Sequence, residues 1–247
     1  MSAVATLTRV EWKLFRRDFA SLFFGLVFPV LLFVALGAFM PGFRDPQEDL
    51  DGTRLVDLYL PIVIGLAIVT VAISTLPTYI ATHREKGVLR RMATTPVRPS
   101  MLLGAQLLVN VAVAVVAVIV TLVAAAVLFD IDVPGNALGF LVAFVLTATA
   151  TFAVGLVIAA VAPRASTATG IGMAVYFPML FFSGVWFLRD AMSEPLRAVS
   201  DATPIGSGVQ AIQDALAGDW PQPLHLAILV AWAVVAGFAA ARLFRWE

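Results

Sequence analysis

The sequence predicts an all-α polytopic membrane protein with six transmembrane helices. Three observations predict it. Hydrophobic residues make up 61% of the 247 and charged residues only 13%, whereas soluble domains are about a quarter charged. Six uncharged runs are each long enough to cross a hydrocarbon core of about 30 Å as a helix. The basic residues also collect on alternate sides of those runs, as cytoplasmic loops require. The whole chain, 1–247, reads as a single transmembrane domain.

Residues 3–17 place Ala3, Leu7, Val10 and Leu14 at helical spacing, with Arg9, Lys13, Arg16 and Arg17 largely off that stripe. This is the pattern of an amphipathic helix lying on an anionic leaflet. The first span, about 19–40, has no charge and is longer than the apolar core of a cleaved signal peptide. Pro29 is expected to bend it rather than end it, because bilayer helices tolerate proline when neighbours satisfy the freed carbonyl. A polar, acid-biased loop follows, and then the second span at about 58–81.

Residues 82–100 are a charged island, Thr82 to Ser100, between two apolar runs. It must stay at a water-facing surface while its flanks are buried, and it reads as a docking element for another protein, with a membrane-surface helix that has no partner as the alternative. Further spans are expected at about 101–129, 137–162, 165–188 and 224–241. The fourth is rich in small residues from Thr147 to Ala159, which lets helices approach closely. The fifth has a dense aromatic outer half, with Tyr176, Phe177, Phe181, Phe182, Trp186 and Phe187 around Pro178. It either lines an apolar path or faces lipid. Residues 189–223 are too long for a structureless connector. Their apolar positions, punctuated by Pro195, Pro204 and Gly206, predict two short helices dipping into the outer leaflet, with a soluble cap as the alternative.

Sorting the basic residues onto alternate sides of six spans fixes the orientation. Arg9, Lys13, Arg16, Arg17, Arg84, Lys86, Arg90, Arg91, Arg98, Arg164, Arg242 and Arg245 fall on one side, and Arg44, Arg54, Arg189 and Arg197 on the other. The first side is cytoplasmic by the positive-inside rule, with both termini and the island on it.

Composition and motifs exclude several functions. A net charge of zero argues against a nucleic-acid binder, which needs a cationic surplus. Without cysteine there is no disulfide framework and no thiolate chemistry. His83 and His225, the only histidines, are too few for a histidine-built metal centre. Lys13 and Lys86 do not follow glycine, so no Walker A loop is present. No Asp, Glu, Lys or Arg lies within a span, which disfavours a self-sufficient, ion-coupled transporter. No serine is paired with a base at depth, and no catalytic constellation is found. If the protein drives uphill movement, a partner supplies the energy.

The basic N-terminus, the island REKGVLRRMATTPVRPSMLLGAQ at 84–106 and the segment FFSGVWFLRDAMSEPLRAVSDATPIGSGVQAI at 181–212 resemble the permease subunit of ABC type-2 (type V) exporters, with daunorubicin-resistance-like drug exporter permeases nearest in character. The resemblance implies a dimer of permeases in the plasma membrane, bound to two copies of a separate cytoplasmic ATPase. That partner would bind ATP and Mg, leaving this chain without a cofactor or catalytic residue of its own. It also implies a coupling helix from Arg84 to about Thr94 that docks the ATPase. Arg84, Glu85, Lys86, Gly87, Leu89, Arg90 and Arg91 would make the contact, and Thr95 and Pro96 would end it. The first, second and fifth spans would surround the path, making Thr70, Ser74, Phe177, Phe181, Phe182 and Trp186 candidate path residues, and residues 189–223 would form short re-entrant helices. The function so implied is ATP-driven export of an amphipathic small molecule such as an antibiotic. A permease for a lipid-linked glycan or other envelope polymer is the alternative, and a membrane scaffold without transport activity is a third class.

Overall fold

A computed structural model of the protein describes residues 3–50, 52–88, 99–131 and 135–244. Among the described residues every extended element is a helix: α1 (Ala3–Phe15), α2 (Phe19–Phe39), α3 (Leu55–Glu85), α4 (Pro99–Phe129), α5 (Ala137–Val161), α6 (Ala165–Ser183), α7 (Glu194–Ala202), α8 (Pro204–Ala217) and α9 (Pro223–Leu243). Of these, α2, α3, α4, α5, α6 and α9 are long and apolar enough to cross a membrane, matching the six expected spans. The end of the bundle that holds Arg84, Arg164 and Arg242 is called the basic end below.

Two helix ends differ from expectation by four residues or more, for physical reasons. Helix α3 runs past Ala81 to Glu85, because the side chains of Arg84 and Glu85 find partners on α5 and α6. Helix α6 stops at Ser183 rather than Leu188, because Gly184 takes a left-handed conformation, φ 95°, and caps the helix end, a role glycine fills without a Cβ penalty.

Helix α3 is the axis of the bundle. Its most apolar window is 83% buried, against 22% for α2, α6 and α9, and α2, α4, α5, α6 and α8 all pack on it. Close approach depends on absent side chains. A Cβ on Gly155 of α5 would overlap the carbonyl oxygen of Ala72 in α3, and one on Gly65 of α3 would lie 2.9 Å from Val209 of α8. The small residues of α5 serve this packing: Thr147, Ala150, Thr151 and Ala159 are buried, and the threonine hydroxyls bond to carbonyls of their own helix.

Both α2 and α3 contain a widened π turn, at Phe23–Val27 and Thr70–Thr75, each followed two residues later by a proline, Pro29 and Pro77. Proline lacks an N–H and its ring crowds the carbonyl one turn earlier, and a π turn gives that carbonyl room. The helices therefore continue through Pro29 and Pro77. The two π turns face each other, with Gly25 letting α2 come close to Val71.

The segment 189–223 is more deeply integrated than two leaflet-dipping helices. Residues 204–209 of α8 are fully buried against α3 and α5, and Gly208 admits Thr147 where a side chain would clash. Helix α7 stays peripheral, with Leu196 and Val199 exposed. Helix α1 forms as expected, but a different face meets the protein. Glu11 and Phe15 are buried, α1 packs along α4, and Val10, Trp12 and Leu14 are exposed. Glu11 turns inward because His83 and Gln106 are there to receive it.

Candidate functional site

Helices α2, α3 and α6 leave a groove of about 850 Å³ between them. Phe24, Phe28 and Leu32 of α2 form one wall, Met173, Tyr176, Phe177 and Leu180 of α6 form the other, and Val185 and Trp186 close one end. The floor is α3, where Thr70, Ser74, Thr78 and Thr82 recur at every fourth residue and so share one helix face. Asp18 and Lys86 stand at the basic end. Both π turns contribute lining residues, so the local widening of each helix shapes the groove.

Of the six path candidates, Thr70, Ser74, Phe177 and Trp186 line this groove, and the rings of Phe177 and Trp186 stack at 6.3 Å. Phe181 and Phe182 do not. Phe181 packs on Phe182 and Phe187, and the Phe182 carbonyl accepts a hydrogen bond from Ser200. Tyr176, noted in the aromatic half of its span but not among the six candidates, meets Thr70 at 3.0 Å, and sequence reasoning missed Thr78, Thr82, Met173 and the α2 phenylalanines. The fourfold recurrence of hydroxyl residues along α3 was the signal that pointed to this face.

The polar groups at the basic end tie the chain together. Tyr79 and Ser21 donate to the Asp18 carboxylate at 2.8 and 2.7 Å. Burial works to raise the Asp18 pKa, but these hydrogen bonds outweigh it and hold the group below its ordinary value. His83 lies 3.5 Å from Glu11, and Gln106 donates to Glu11 at 3.3 Å. The start of α2 and the buried face of α1 are thus both fastened to the last two turns of α3.

The island residues are placed in two ways. The Arg84 guanidinium donates to the carbonyls of Ala159, at 2.8 Å, and Ala162 at the C-terminus of α5, and lies over the Phe244 ring beyond α9. A cation there satisfies helix-end carbonyls and suits the helix dipole. Glu85 accepts from the Ala165 N–H at the start of α6, 3.1 Å away, where a carboxylate is equally suited. Together they clamp the short α5–α6 connection. Lys86 and Gly87 form a turn, with Gly87 at φ +64°, and Lys86 is exposed. Leu89, Arg90, Arg91, Thr95 and Pro96 lie outside the described residues. Among the described residues no group of three His, Cys, Asp or Glu side chains is arranged to hold a metal ion.

The groove and the clamp lie within the part of the chain that a family profile matches. Residues 2–217 match the family described as ABC-2 type transporter. A protein of Streptomyces coeruleorubidus named daunorubicin resistance ABC transporter permease protein DrrB1 is 28% identical over 251 residues, covering 98% of this chain and 86% of that protein. With six helices long and apolar enough to cross a membrane and this family match over most of its length, the chain belongs to the ABC-2 type transporter family and is a multi-pass membrane permease.

Proposed function

We propose that this permease exports an amphipathic small molecule, such as an antibiotic, using ATP and Mg bound by a separate ABC ATPase. The observation that carries the reading is the groove between α2, α3 and α6, whose apolar walls and hydroxyl-lined floor offer an environment for a molecule with both characters. Pockets for small molecules typically combine apolar lining with a few placed polar groups. The relative's drug-resistance name supports the same cargo class.

The basic end faces the cytoplasm, as do both termini, in keeping with the distribution of Lys and Arg. Helix α1 lies on the inner leaflet with Val10, Trp12 and Leu14 in contact with lipid, and α7 and α8 sit at the outer side as a re-entrant pair. A second copy of the chain completes the transporter, and the ATPase docks beneath the turn at Lys86 and Gly87, on the segment holding Leu89, Arg90, Arg91, Thr95 and Pro96. In this arrangement Arg84 and Glu85 transmit rather than contact. They join the docking segment to α5 and α6, so that movement imposed on it reaches the far wall of the groove.

The test is flux in inverted vesicles that contain the permease and a candidate ATPase co-purified with it. ATP-dependent uptake of a fluorescent amphiphile is expected, and it stops when either subunit is omitted. Gradient-driven uptake by the permease alone, or an ATPase that never co-purifies, contradicts the proposal.

A further inference from the structure

We propose that the α3 floor of the groove is a ladder of hydrogen-bond acceptors that selects amphiphiles carrying N–H or O–H donors along one edge. The inference rests on the groove being the cargo site and adds what kind of cargo it grips.

A hydroxyl has one proton and two lone pairs. Thr70 commits its proton to the Leu66 carbonyl at 2.7 Å, Thr78 to the Ser74 carbonyl at 2.8 Å and Thr82 to the Thr78 carbonyl at 2.7 Å. Because Thr70 donates to its own helix, the 3.0 Å contact with Tyr176 leaves Tyr176 as the donor. At the basic end the protons of Ser21 and Tyr79 go to Asp18. Ser74 is the exception among these hydroxyls. What the floor offers to a guest is therefore mainly lone pairs, in a row one helical turn apart, ending at a carboxylate, with Lys86 at the mouth.

A guest carrying only acceptors would set lone pairs against lone pairs and lose its own hydration without replacement, a cost that buried polar groups always carry. A guest with ammonium or hydroxyl donors spaced along one edge recovers those bonds. Its apolar body lies against the Phe24, Phe28 and Phe177 side.

The experiment uses two pyrene-tagged alkyl cations of equal charge, a primary ammonium and a trimethylammonium. Only the first has N–H donors. Binding to the purified full-length permease is followed by energy transfer from Trp186, with Trp186→Phe as the control for location. The primary ammonium is expected to bind the wild type about tenfold more tightly, a difference of about 1.4 kcal/mol. Replacing Thr78 and Thr82 by Val is expected to reduce that preference to about twofold, and replacing them by Ser to restore it. Equal or tighter binding of the trimethylammonium would indicate an aromatic cage and overturn the proposal. A preference that survives the Val variant, or probes that partition without saturation as into lipid, would overturn it as well. If the preference is present but ATP-driven flux is absent, the acceptor ladder stands and the transport reading falls. Flux without any preference gives the reverse.

Discussion

Two grooves flank α2, and they differ in chemistry rather than in size. The one shared with α3 and α6 encloses about 850 Å³ and has hydroxyls along its floor and a carboxylate at one end. The one shared with α4 encloses about 630 Å³ and is lined by Leu26, Val27, Val30, Leu31, Val34, Ala35, Ala38, Phe39 and Val120. Lipid tails are as apolar as leucine, so an aliphatic furrow needs no occupant other than a lipid chain. Polar atoms placed along the first groove have no such purpose. Volume alone does not mark a cargo site in a membrane protein; the placing of polar groups inside the volume does.

The largest effect should come from disturbing the packing that holds the polar groove's floor. Gly155 abuts the backbone of α3 at Ala72, within the π turn, whereas the atoms nearest to a Cβ on Gly37, beside the furrow, belong to the Phe129 ring. Backbone cannot step aside as a ring can. Gly155→Val should therefore cost about 3 kcal/mol or more, and Gly37→Ala only about 1 kcal/mol. Thermal unfolding in detergent measures both, and equal losses would contradict the assignment of α3 as the rigid axis.

The next effect is on transport rather than folding. Ser74→Trp fills the polar groove and should lower ATP-dependent flux at least about tenfold, the scale of one lost binding contact. Val34→Trp in the furrow should leave flux within about twofold. Comparable losses from the two would erase the distinction between the grooves.

Smaller again is the separation expected at the basic end. Arg84→Ala removes charge-assisted bonds to the end of α5 and should destabilise the protein by about 1–2 kcal/mol with ATPase co-purification retained. Lys86→Glu should weaken co-purification with little change in unfolding temperature. The opposite pattern would return Arg84 to the docking surface.

The smallest effect concerns the opposite end, where Arg189 and Asp201 pair at 2.6 Å. The hydrogen bond from Arg189 is the chief cause holding the Asp201 carboxyl below its ordinary pKa of 3.8. A carboxylate with a depressed folded-state pKa stabilises the protein above its unfolded value, and that contribution fades as pH falls through the folded value. Asp201→Asn should thus lower the unfolding temperature slightly at pH 5–8, by what a surface pair is worth, about 0.2–1 kcal/mol. The difference from wild type should shrink towards about pH 3. A difference growing on acidification would contradict the pairing.

Much of the fold was legible because lipid imposes simple rules. Length and lack of charge located all six spans, and Pro41 and Gly184 lie close to where two of them end. The π turns were not legible, since period and composition do not distinguish them from α-helix, although Pro29 and Pro77 marked their neighbourhood. The burial of α8 was hidden because its proline and glycines read as loop punctuation, whereas Gly206 and Gly208 serve close contacts with Ser200 and Thr147. At the site, Thr70, Ser74, Phe177 and Trp186 were named because the family resemblance pointed to the second and fifth spans, where they supply polar and aromatic side chains. Thr78 and Thr82 required the helix face to be counted out from Thr70, and the pairing of Thr70 with Tyr176 required the packing of α6 on α3. The inward turn of Arg84 was invisible in sequence, because a basic island looks the same whether its guanidinium meets a partner or the end of a neighbouring helix.

The claim that the polar groove carries cargo is tested most directly by photo-crosslinking. An amphiphile bearing a diazirine is irradiated in membranes containing the permease and its ATPase, and the adducts are mapped by mass spectrometry. Adducts at Ser74, Met173 or Trp186, displaced by excess unlabelled amphiphile, are the predicted result. Adducts confined to Leu31 and Val120, or labelling of both grooves that excess amphiphile does not displace, would contradict it.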